Sequence, residues 1–256
     1  LQATEGADYV LHQAALGSVP RSIKDPITTT EVNINGFLNI LIAVRDHKVK
    51  RLVYAASSST YGDSRILPKE EDIIGNPLSP YGITKYVNEL YAAVFAKTYG
   101  IETIGLRYFN VFGKRQDPAG PYAAVIPKFI SQLMNLQSPT INGDGSYSRD
   151  FTYIANIVQI NLLSVVADKN AVNKVYNAAF GACNTLSNLT ILLKQELSKF
   201  DKRIAEVPIK YGAERLGDVA HSYASISKAK DLLNYKPNYS LQKGLQESVK
   251  WYWENL

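Results

Sequence analysis

A tyrosine and a lysine four residues apart could form a proton-transfer pair. Tyr81 and Lys85 follow Pro80 in the segment Tyr-Gly-Ile-Thr-Lys, and residues i and i+4 lie on one face of a helix. An ammonium group beside a phenol favours the phenolate, so it would lower the pKa of Tyr81 and let that side chain act as a base near neutral pH. Since the chain contains 17 tyrosines, such a spacing also arises by chance, and the pair alone does not establish a site.

Hydroxyl side chains follow an apolar segment upstream of that pair. Ser57, Ser58, Ser59 and Thr60 are consecutive. In an open parallel sheet, ligands bind at the carboxyl ends of the strands. Hydroxyls there can hydrogen-bond a substrate oxygen while a base removes its proton, although the same residues also suit a turn that caps a strand. Asn110 is a further polar residue at the end of an apolar segment.

The elements that must position these residues alternate between strand and helix. Short β-branched or aromatic segments predict strands at Tyr9–Ala15, Arg51–Ser57 and Glu102–Phe109, and the segments between them have helical periodicity. This alternation predicts an α/β fold with a Rossmann-like parallel sheet over residues 1–113. We expect residues 114–256 to form mainly a smaller α/β domain that interlocks with the first. Within this range, residues from about 150 to 180 are expected to return to the Rossmann core. The helices predicted there are Ala124–Leu136, Leu186–Ser198, Ile226–Leu233 and Leu241–Trp253.

Composition excludes several classes of protein. The 256 residues include one cysteine, Cys183, and three separated histidines, His12, His47 and His221, so neither a disulfide framework nor a metal site is predicted. The net charge of +5 comes from scattered Lys and Arg, which does not favour nucleic acid. No apolar run approaches the roughly 18 residues that span a bilayer, and no signal sequence opens the chain. We therefore predict a cytoplasmic protein that does not bind membranes.

Seven motifs occur in a fixed order along the chain: His12–Ser22, Val32–Gly36, Ser57–Ser59, Tyr81–Lys85, Arg107–Gly113, Ser148–Phe151 and Arg215–Asp218. Together they resemble the extended short-chain dehydrogenase/reductase family. Within it the sequence is most similar to nucleotide-sugar 4-epimerases, in particular the bacterial UDP-N-acetylglucosamine 4-epimerases of surface-polysaccharide and lipopolysaccharide biosynthesis. The resemblance covers essentially the whole chain.

The resemblance implies an NAD-dependent epimerisation through a transient 4-keto sugar. Tyr81 would be the base for the 4-hydroxyl proton, Ser57 would assist it, and Lys85 would lower the pKa of Tyr81 and hold the nicotinamide ribose. Residues 1–113 would then be a partial NAD-binding domain. The cofactor-binding residues that the resemblance implies are Ala14, Ala15, Asn33, Tyr81, Lys85, Tyr108 and Val111.

The resemblance also implies a UDP-sugar substrate, held mainly by residues 114–256. A small residue, Ser222, stands where the strict UDP-galactose enzymes carry a bulky tyrosine, which favours UDP-GlcNAc and UDP-GalNAc or their uronic acid forms. UDP-glucose or UDP-glucuronate 4-epimerisation is the alternative, while a 4,6-dehydratase would carry an acidic pair at Ser58 and Ser59. Without the resemblance, Arg149 and Arg215 could equally be solvated or paired with Asp150 and Asp218. The substrate-binding residues implied are Ser18, Ser58, Ser59, Asn110, Ala124, Val125, Lys128, Thr140, Asn142, Arg149, Arg215, Asp218 and Ser222.

Three expectations concern departures from the family and its assembly. The family's Gly-x-x-Gly-x-x-Gly phosphate loop does not occur here, so about the first quarter of the fold is expected to precede Leu1. The chain alone would then fold poorly, and an inactive nucleotide-binding module is the alternative to an enzyme. After Phe151 the family usually carries an Asp before the next helix, where this chain has Ala155 followed by Asn156, so a weaker cap or ion pair is expected there. A homodimer is expected through the helices of Asn35–Asp46 and Tyr81–Tyr99.

Overall fold

The computed structural model describes residues 2–120, 123–214 and 219–256. The chain forms two compact units. The first comprises Leu1–Phe109, Val158–Ala178 and Ser225–Lys236, and the second comprises Asn110–Ile157, Ala179–Ala224 and Pro237–Leu256. Each unit is therefore assembled from three separate stretches of the chain.

A four-stranded parallel sheet forms the centre of the first unit. Its strands, in spatial order, are β1 (Tyr9–His12), β2 (Arg51–Ser57), β3 (Glu102–Tyr108) and β8 (Lys174–Ala178). The middle strands β2 and β3 are buried along nearly their whole length, as expected for parallel strands covered on both faces. At the edge, Tyr9 and Leu11 of β1 are 41% and 45% exposed. The fold class predicted from the sequence, α/β with a parallel central sheet, is confirmed.

Helices in the first unit begin and end at residues suited to those positions. They are α1 (Val19–Lys24), α2 (Pro26–Thr30), a π-helical turn at Glu31–Asn35, α3 (Gly36–Asp46), α4 (Pro80–Tyr99) and α8 (Ser227–Leu233). Helix α4 is capped by the Ser79 hydroxyl, which accepts from the Gly82 N–H, and it ends at Gly100, whose φ of 71° is left-handed. Phe37, Leu41 and Phe95 pack with apolar residues of β2 into one core cluster.

The second unit contains short strand pairs and α-helices. Strand β4 (Asn110–Phe112) pairs with β7 (Phe151–Tyr153), β5 (Thr140–Asn142) pairs with β10 (Lys210–Gly212), and β6 (Ser148–Arg149) lies between β9 (Asn184–Thr185) and β11 (His221–Ser222). The helices are α5 (Val125–Met134), α7 (Leu186–Leu197) and α9 (Leu241–Asn255), whose apolar faces share one core. Helix α6 (Ile154–Val165) begins in this unit and continues into the first.

Two local differences from the sequence expectations have identifiable causes. Strand β1 ends at His12 rather than Ala15, because the backbone N–H and C=O of Leu16 bond to the side chain of Asn33 and not to a strand. Asn156 does not cap α6. Its buried amide donates to the carbonyl of Tyr239 at 2.8 Å and accepts from the N–H groups of Asn238 and Tyr239, so it orders the segment before α9.

One helical segment is long and apolar enough to cross a membrane when judged by length and composition alone. It spans Pro26–Asp46, which the sequence did not predict. A core helix of a globular protein passes the same test. Phe37, Leu41 and Val44 on this segment are nearly inaccessible to solvent and belong to the core beside β2. The finding by itself therefore does not indicate a membrane-spanning helix.

Candidate functional site

The strand ends of the first unit bring the predicted hydroxyl residues into a defined turn. Ser57 ends β2 and lies in register with Tyr108, the last residue of β3. Its Oγ accepts from the N–H of Ser59 at 3.1 Å and caps the 3₁₀ turn Ser58–Tyr61. The run of hydroxyl residues therefore forms a strand-capping turn as well as a polar edge at the carboxyl end of the sheet.

Tyr81 lies in the first turn of α4, where the Ser57 hydroxyl is close enough to oppose the rise in the pKa of its phenol caused by burial. Glycine at position 82 allows this approach, because a Cβ there would lie 3.0 Å from the Ser59 carbonyl oxygen. The Ser79 cap and Pro80 fix where the helix starts. The sequence features around Tyr81 thus place its phenol beside the Ser57 hydroxyl.

The pKa of Tyr81 differs from the sequence expectation. Burial raises it, and the Ser57 hydrogen bond opposes the rise. The expected lowering by Lys85 is not found, because the Lys85 Nζ donates to the Ala55 carbonyl at 2.8 Å and lies 5.9 Å from the centre of the Tyr81 ring. The side chain of Lys85 is itself buried, which lowers its pKa to about 8.

Asn33 uses its side-chain donors within the chain, so its predicted contact with the cofactor stays a prediction. Its side chain is 2% exposed and bonds to the backbone of Leu16 and to the hydroxyl of Thr84. Both hydrogens of its amide nitrogen are used within the chain. Thr84 was missed by the sequence reasoning, although it lies inside the Tyr-x-x-x-Lys motif, because its partner Asn33 is 51 residues away.

Tyr108 forms a polar triangle with two residues that the sequence did not single out. Its Oη donates to the Gln13 Oε1 at 2.8 Å and accepts from the Asn161 Nδ2 at 2.9 Å, while Gln13 donates to Asn161 at 3.1 Å. Gln13 follows β1 directly, so a polar residue at a strand end was a usable signal. Asn161 lies on α6, and no local pattern marks it.

The donor groups of the first unit fit a dinucleotide. Lys85 offers three N–H donors, of which Ala55 takes one, and the Tyr81 phenol lies one helical turn away on the same face. Ala14 is exposed and Ala15 is half-buried, so their backbone is accessible beyond the end of β1. Asn33 is the predicted cofactor residue that fits least, since its amide donors are engaged.

The substrate residues predicted in the second unit lie on its strand and helix ends. Asn110 is in β4, which pairs with β7, and the predicted cofactor residue Val111 follows it on the same strand. Ala124 precedes α5, where Val125 is half-buried and Lys128 is exposed. Thr140 and Asn142 occupy alternate positions of β5 and therefore face the same side. Ser18, in the first unit, caps α1 by accepting from the Arg21 N–H at 3.2 Å.

Arg149 and Ser222 are direct neighbours in the second unit, because β6 and β11 pair in that register. The Nη1 of Arg149 donates to the carbonyls of Ser148 and Ala220. Asp150 accepts from the N–H groups of Gly181 and its neighbours in the segment after β8. The predicted Arg215 and Asp218 lie outside the described residues.

The described ranges, 2–120, 123–214 and 219–256, contain no group of three or more His, Cys, Asp or Glu side chains that could hold a metal ion. The polar groups at the sheet edge are instead a phenol, an ammonium, hydroxyls and amides. A parallel sheet with such groups at its carboxyl edge defines a dinucleotide-binding α/β protein of the Rossmann class.

Comparison with known proteins assigns the family. The NAD dependent epimerase/dehydratase family matches residues 1–179. A putative UDP-glucose 4-epimerase from Methanocaldococcus jannaschii is 37% identical over 95% of this chain and 76% of its own length. The chain belongs to the NAD-dependent epimerase/dehydratase family.

Solved structures agree with this assignment. A UDP-N-acetylglucosamine 4-epimerase from Methanobrevibacter ruminantium M1, in complex with UDP-N-acetylmuramic acid, superposes with a TM-score of 0.93 at 39% identity, covering 100% of this chain and 79% of that one. A UDP-glucuronic acid 4-epimerase from Bacillus cereus, in complex with UDP-glucuronic acid and NAD, gives 0.88 at 28% identity, covering 100% and 78%.

Proposed function

We propose that this chain carries the proton-transfer centre of an NAD-dependent UDP-sugar 4-epimerase that interconverts UDP-GlcNAc and UDP-GalNAc. The observation that carries the proposal is the approach of the Ser57 hydroxyl to the Tyr81 phenol, which lowers the pKa of that phenol against the effect of burial, with the buried ammonium of Lys85 one helical turn further along α4. The relatives named above support the reaction, because they are 4-epimerases of UDP-sugars.

In this proposal Tyr81 removes the proton of the sugar 4-hydroxyl and later returns it. Ser57 holds the phenol oxygen and stabilises the phenolate by donating a hydrogen bond to it. NAD, which Lys85 and the backbone beyond β1 would hold, would supply the hydride acceptor and donor for C4 of the sugar. The two N–H groups of Lys85 that Ala55 does not use are available to ribose hydroxyls. Each predicted catalytic residue thereby has a distinct task.

The second unit supplies the proposed substrate contacts. We assign the binding of the substrate diphosphate to Arg149, because a planar guanidinium matches the geometry of phosphate oxygens. Its Nη1 is anchored by two backbone carbonyls, which fixes the direction of the group. Lys128 adds a positive charge on the exposed face of α5. The first unit correspondingly binds the dinucleotide.

The choice of N-acetylated sugars rests on Ser222. This small residue lies beside Arg149 on the neighbouring strand, and it leaves room for an N-acetyl group where a tyrosine would not. UDP-glucose and UDP-glucuronate are the alternative substrates, and relatives named for both match this chain. We expect Ser222→Tyr to lower the ratio of kcat/KM for UDP-GlcNAc to that for UDP-glucose, whereas an unchanged ratio would remove Ser222 from the account.

The proposal is tested by incubating the purified chain with NAD and each of UDP-GlcNAc, UDP-glucose and UDP-glucuronate. Proton NMR of the sugar C4 region identifies any 4-epimer formed. We expect UDP-GalNAc to form fastest. If the chain binds UDP and yields no epimer from any substrate, the alternative of an inactive nucleotide-binding module is correct.

We further propose a cytoplasmic homodimer that serves surface-polysaccharide or lipopolysaccharide synthesis. Its support is an exposed apolar face of α4, where Ile83, Leu90 and Val94 are 50%, 49% and 57% exposed. These positions are seven and four residues apart and share one side of the helix. Sedimentation velocity tests the dimer: Leu90→Lys with Val94→Lys should give monomers, and a monomeric unsubstituted chain would contradict it.

A further inference from the structure

Asn33 connects two segments that are far apart in the sequence. Its Oδ1 accepts from the Leu16 N–H at 2.8 Å, and its Nδ2 donates to the Leu16 carbonyl at 3.2 Å and to the Thr84 Oγ1 at 3.1 Å. An amide nitrogen has two donors, so this one is fully used. The side chain thus bonds both to the segment after β1 and to the first turns of α4.

Thr84 completes the connection on the side of α4. It lies between Tyr81 and Lys85, is 1% exposed, and donates from its Oγ1 to the Tyr81 carbonyl at 2.8 Å. The same oxygen accepts from Asn33. The hydroxyl therefore bonds directly to the backbone of the residue that we propose as the base.

The backbone around Asn33 is unusual in a way that supports this role. Glu31–Asn35 forms a π-helical turn between α2 and α3, and the turn holds Asn33 buried against α4. Such turns are rare and often occur at functional sites. The side-chain hydrogen bonds of Asn33 go to Leu16 and Thr84, both of which lie outside its own helical turn.

We propose that Asn33 and Thr84 are positioning residues that lock the segment Ala14–Leu16 to the first turn of α4. The lock keeps a fixed separation between the backbone that lines the dinucleotide and the phenol of Tyr81. The consequence for catalysis rests on the proposed function, whereas the coupling between Leu16 and Thr84 does not. Neither residue needs to touch a ligand for this role.

Thr84→Val tests the lock, because valine has nearly the same shape and lacks the hydroxyl. We expect amide hydrogen exchange at Leu16 to accelerate about fivefold, which is the effect of losing roughly one neutral hydrogen bond. We expect kcat to fall by a similar factor with the KM for the UDP-sugar unchanged, since Thr84 is not assigned to the sugar. Thr84→Ser should restore both quantities.

Thr190→Val is the matched control. Thr190 is also fully buried and donates to a helical carbonyl, that of Leu186, at 2.8 Å, but it lies on α7 in the second unit. This variant should leave exchange at Leu16 and kcat unchanged. If Thr84→Val does not fold, exchange at Leu16 is measured in Thr84→Ala, with the same expectation.

Two failures can be told apart. Unchanged exchange at Leu16 in the folded Thr84 variant would overturn the lock, whatever the activity. Equal acceleration in Thr190→Val would overturn it as well, because the effect would then be a general loss of stability. An unsubstituted chain without epimerase activity would refute the proposed function, while the exchange experiment would still decide whether the lock exists.

Discussion

Gly82 lies against the backbone of Ser59, close enough that a Cβ at position 82 would be 3.0 Å from the Ser59 carbonyl oxygen. Through this contact, the first turn of α4 packs against the 3₁₀ turn that follows Ser57. We expect the approach of the Ser57 hydroxyl to the Tyr81 phenol to depend on this contact. A glycine inside a helix therefore serves the site, although it costs the helix about 1 kcal/mol relative to alanine.

Gly82→Ala should consequently lower activity more than stability. We expect a fall in kcat of about tenfold, equivalent to ~1.4 kcal/mol, because the Ser59 carbonyl must shift by a few tenths of an ångström. Steady-state kinetics and thermal unfolding measure the two effects. Gly36→Ala is the control: its Cβ would meet nothing within 4 Å, so kcat should stay constant. Equal kcat in Gly82→Ala and the unsubstituted chain would show that the contact is irrelevant to catalysis.

Ser57→Ala should move the pH dependence of kcat to higher pH. The Ser57 hydrogen bond lowers the pKa of Tyr81 against the rise caused by burial. Its removal raises that pKa, so less phenolate is present at pH 7 and the deficit shrinks as pH increases. The pH–rate profile measures this. The control Ser198→Ala removes a hydroxyl bonded to a carbonyl on α7, and it should leave the pH–rate profile unchanged. A shift of the Ser57→Ala profile to lower pH would contradict the proposed effect of Ser57 on the pKa of Tyr81.

Lys85→Met should make the chain more stable at neutral pH and inactive. Burial lowers the pKa of Lys85 from 10.5 to about 8. Because the unfolded chain then binds more protons, the buried ammonium destabilises the fold by up to ~3 kcal/mol, partly offset by its bond to Ala55. This cost is fully present below pH 8 and disappears between pH 8 and 10.5.

Denaturant unfolding at several pH values measures the Lys85 effect. The stability gain of Lys85→Met should be largest below pH 8 and should diminish as pH approaches 10.5. Lys97, near the end of the same helix and exposed, provides the control, and Lys97→Met should not stabilise the chain at pH 7. A less stable Lys85→Met at pH 7 would mean that the bond to Ala55 outweighs the burial cost.

Glu89→Gln should destabilise the first unit strongly. Glu89 forms a two-point ion pair with Arg107, at 2.9 and 2.7 Å, and both side chains are almost fully buried. Burial lowers the pKa of Arg107, and the bonds to Glu89 raise it. Because an arginine guanidinium is not deprotonated in proteins, it stays charged when its partner is removed.

An unpaired buried charge costs about 3–5 kcal/mol, and chemical denaturation of Glu89→Gln should show a loss of that size. Asp8→Asn removes an exposed ion pair with Lys50 and should cost about 1 kcal/mol or less. Similar losses in the two variants would contradict the importance of burial for the Glu89–Arg107 pair.

The elements of the fold were predictable because their signals are local. Apolar strands such as Arg51–Ser57 agree with the structure to the residue, and the Tyr81–Lys85 spacing predicted a shared helical face, which α4 provides. The helix predicted at Ala124–Leu136 is shorter, Val125–Met134, since helix ends depend on caps and contacts.

The connections inside the site were not predictable in the same way. The partners of Thr84 and Tyr108 are distant in sequence, at Asn33 and Asn161, and no spacing rule links them. The predicted lowering of the Tyr81 pKa was also wrong, because the sequence contains the ammonium of Lys85 but does not reveal its burial or its bond to Ala55. Burial and partner choice are tertiary properties.

The most direct test of the account compares the unsubstituted chain with Tyr81→Phe, both with bound NAD quantified by absorbance. The conversion of UDP-GlcNAc to UDP-GalNAc is followed by NMR. We predict that Tyr81→Phe retains NAD and loses at least about 100-fold in kcat, the contribution expected of a positioned base. Retention of NAD together with a kcat within about twofold of the unsubstituted chain, far less than loss of a base would cause, would contradict the assignment of Tyr81.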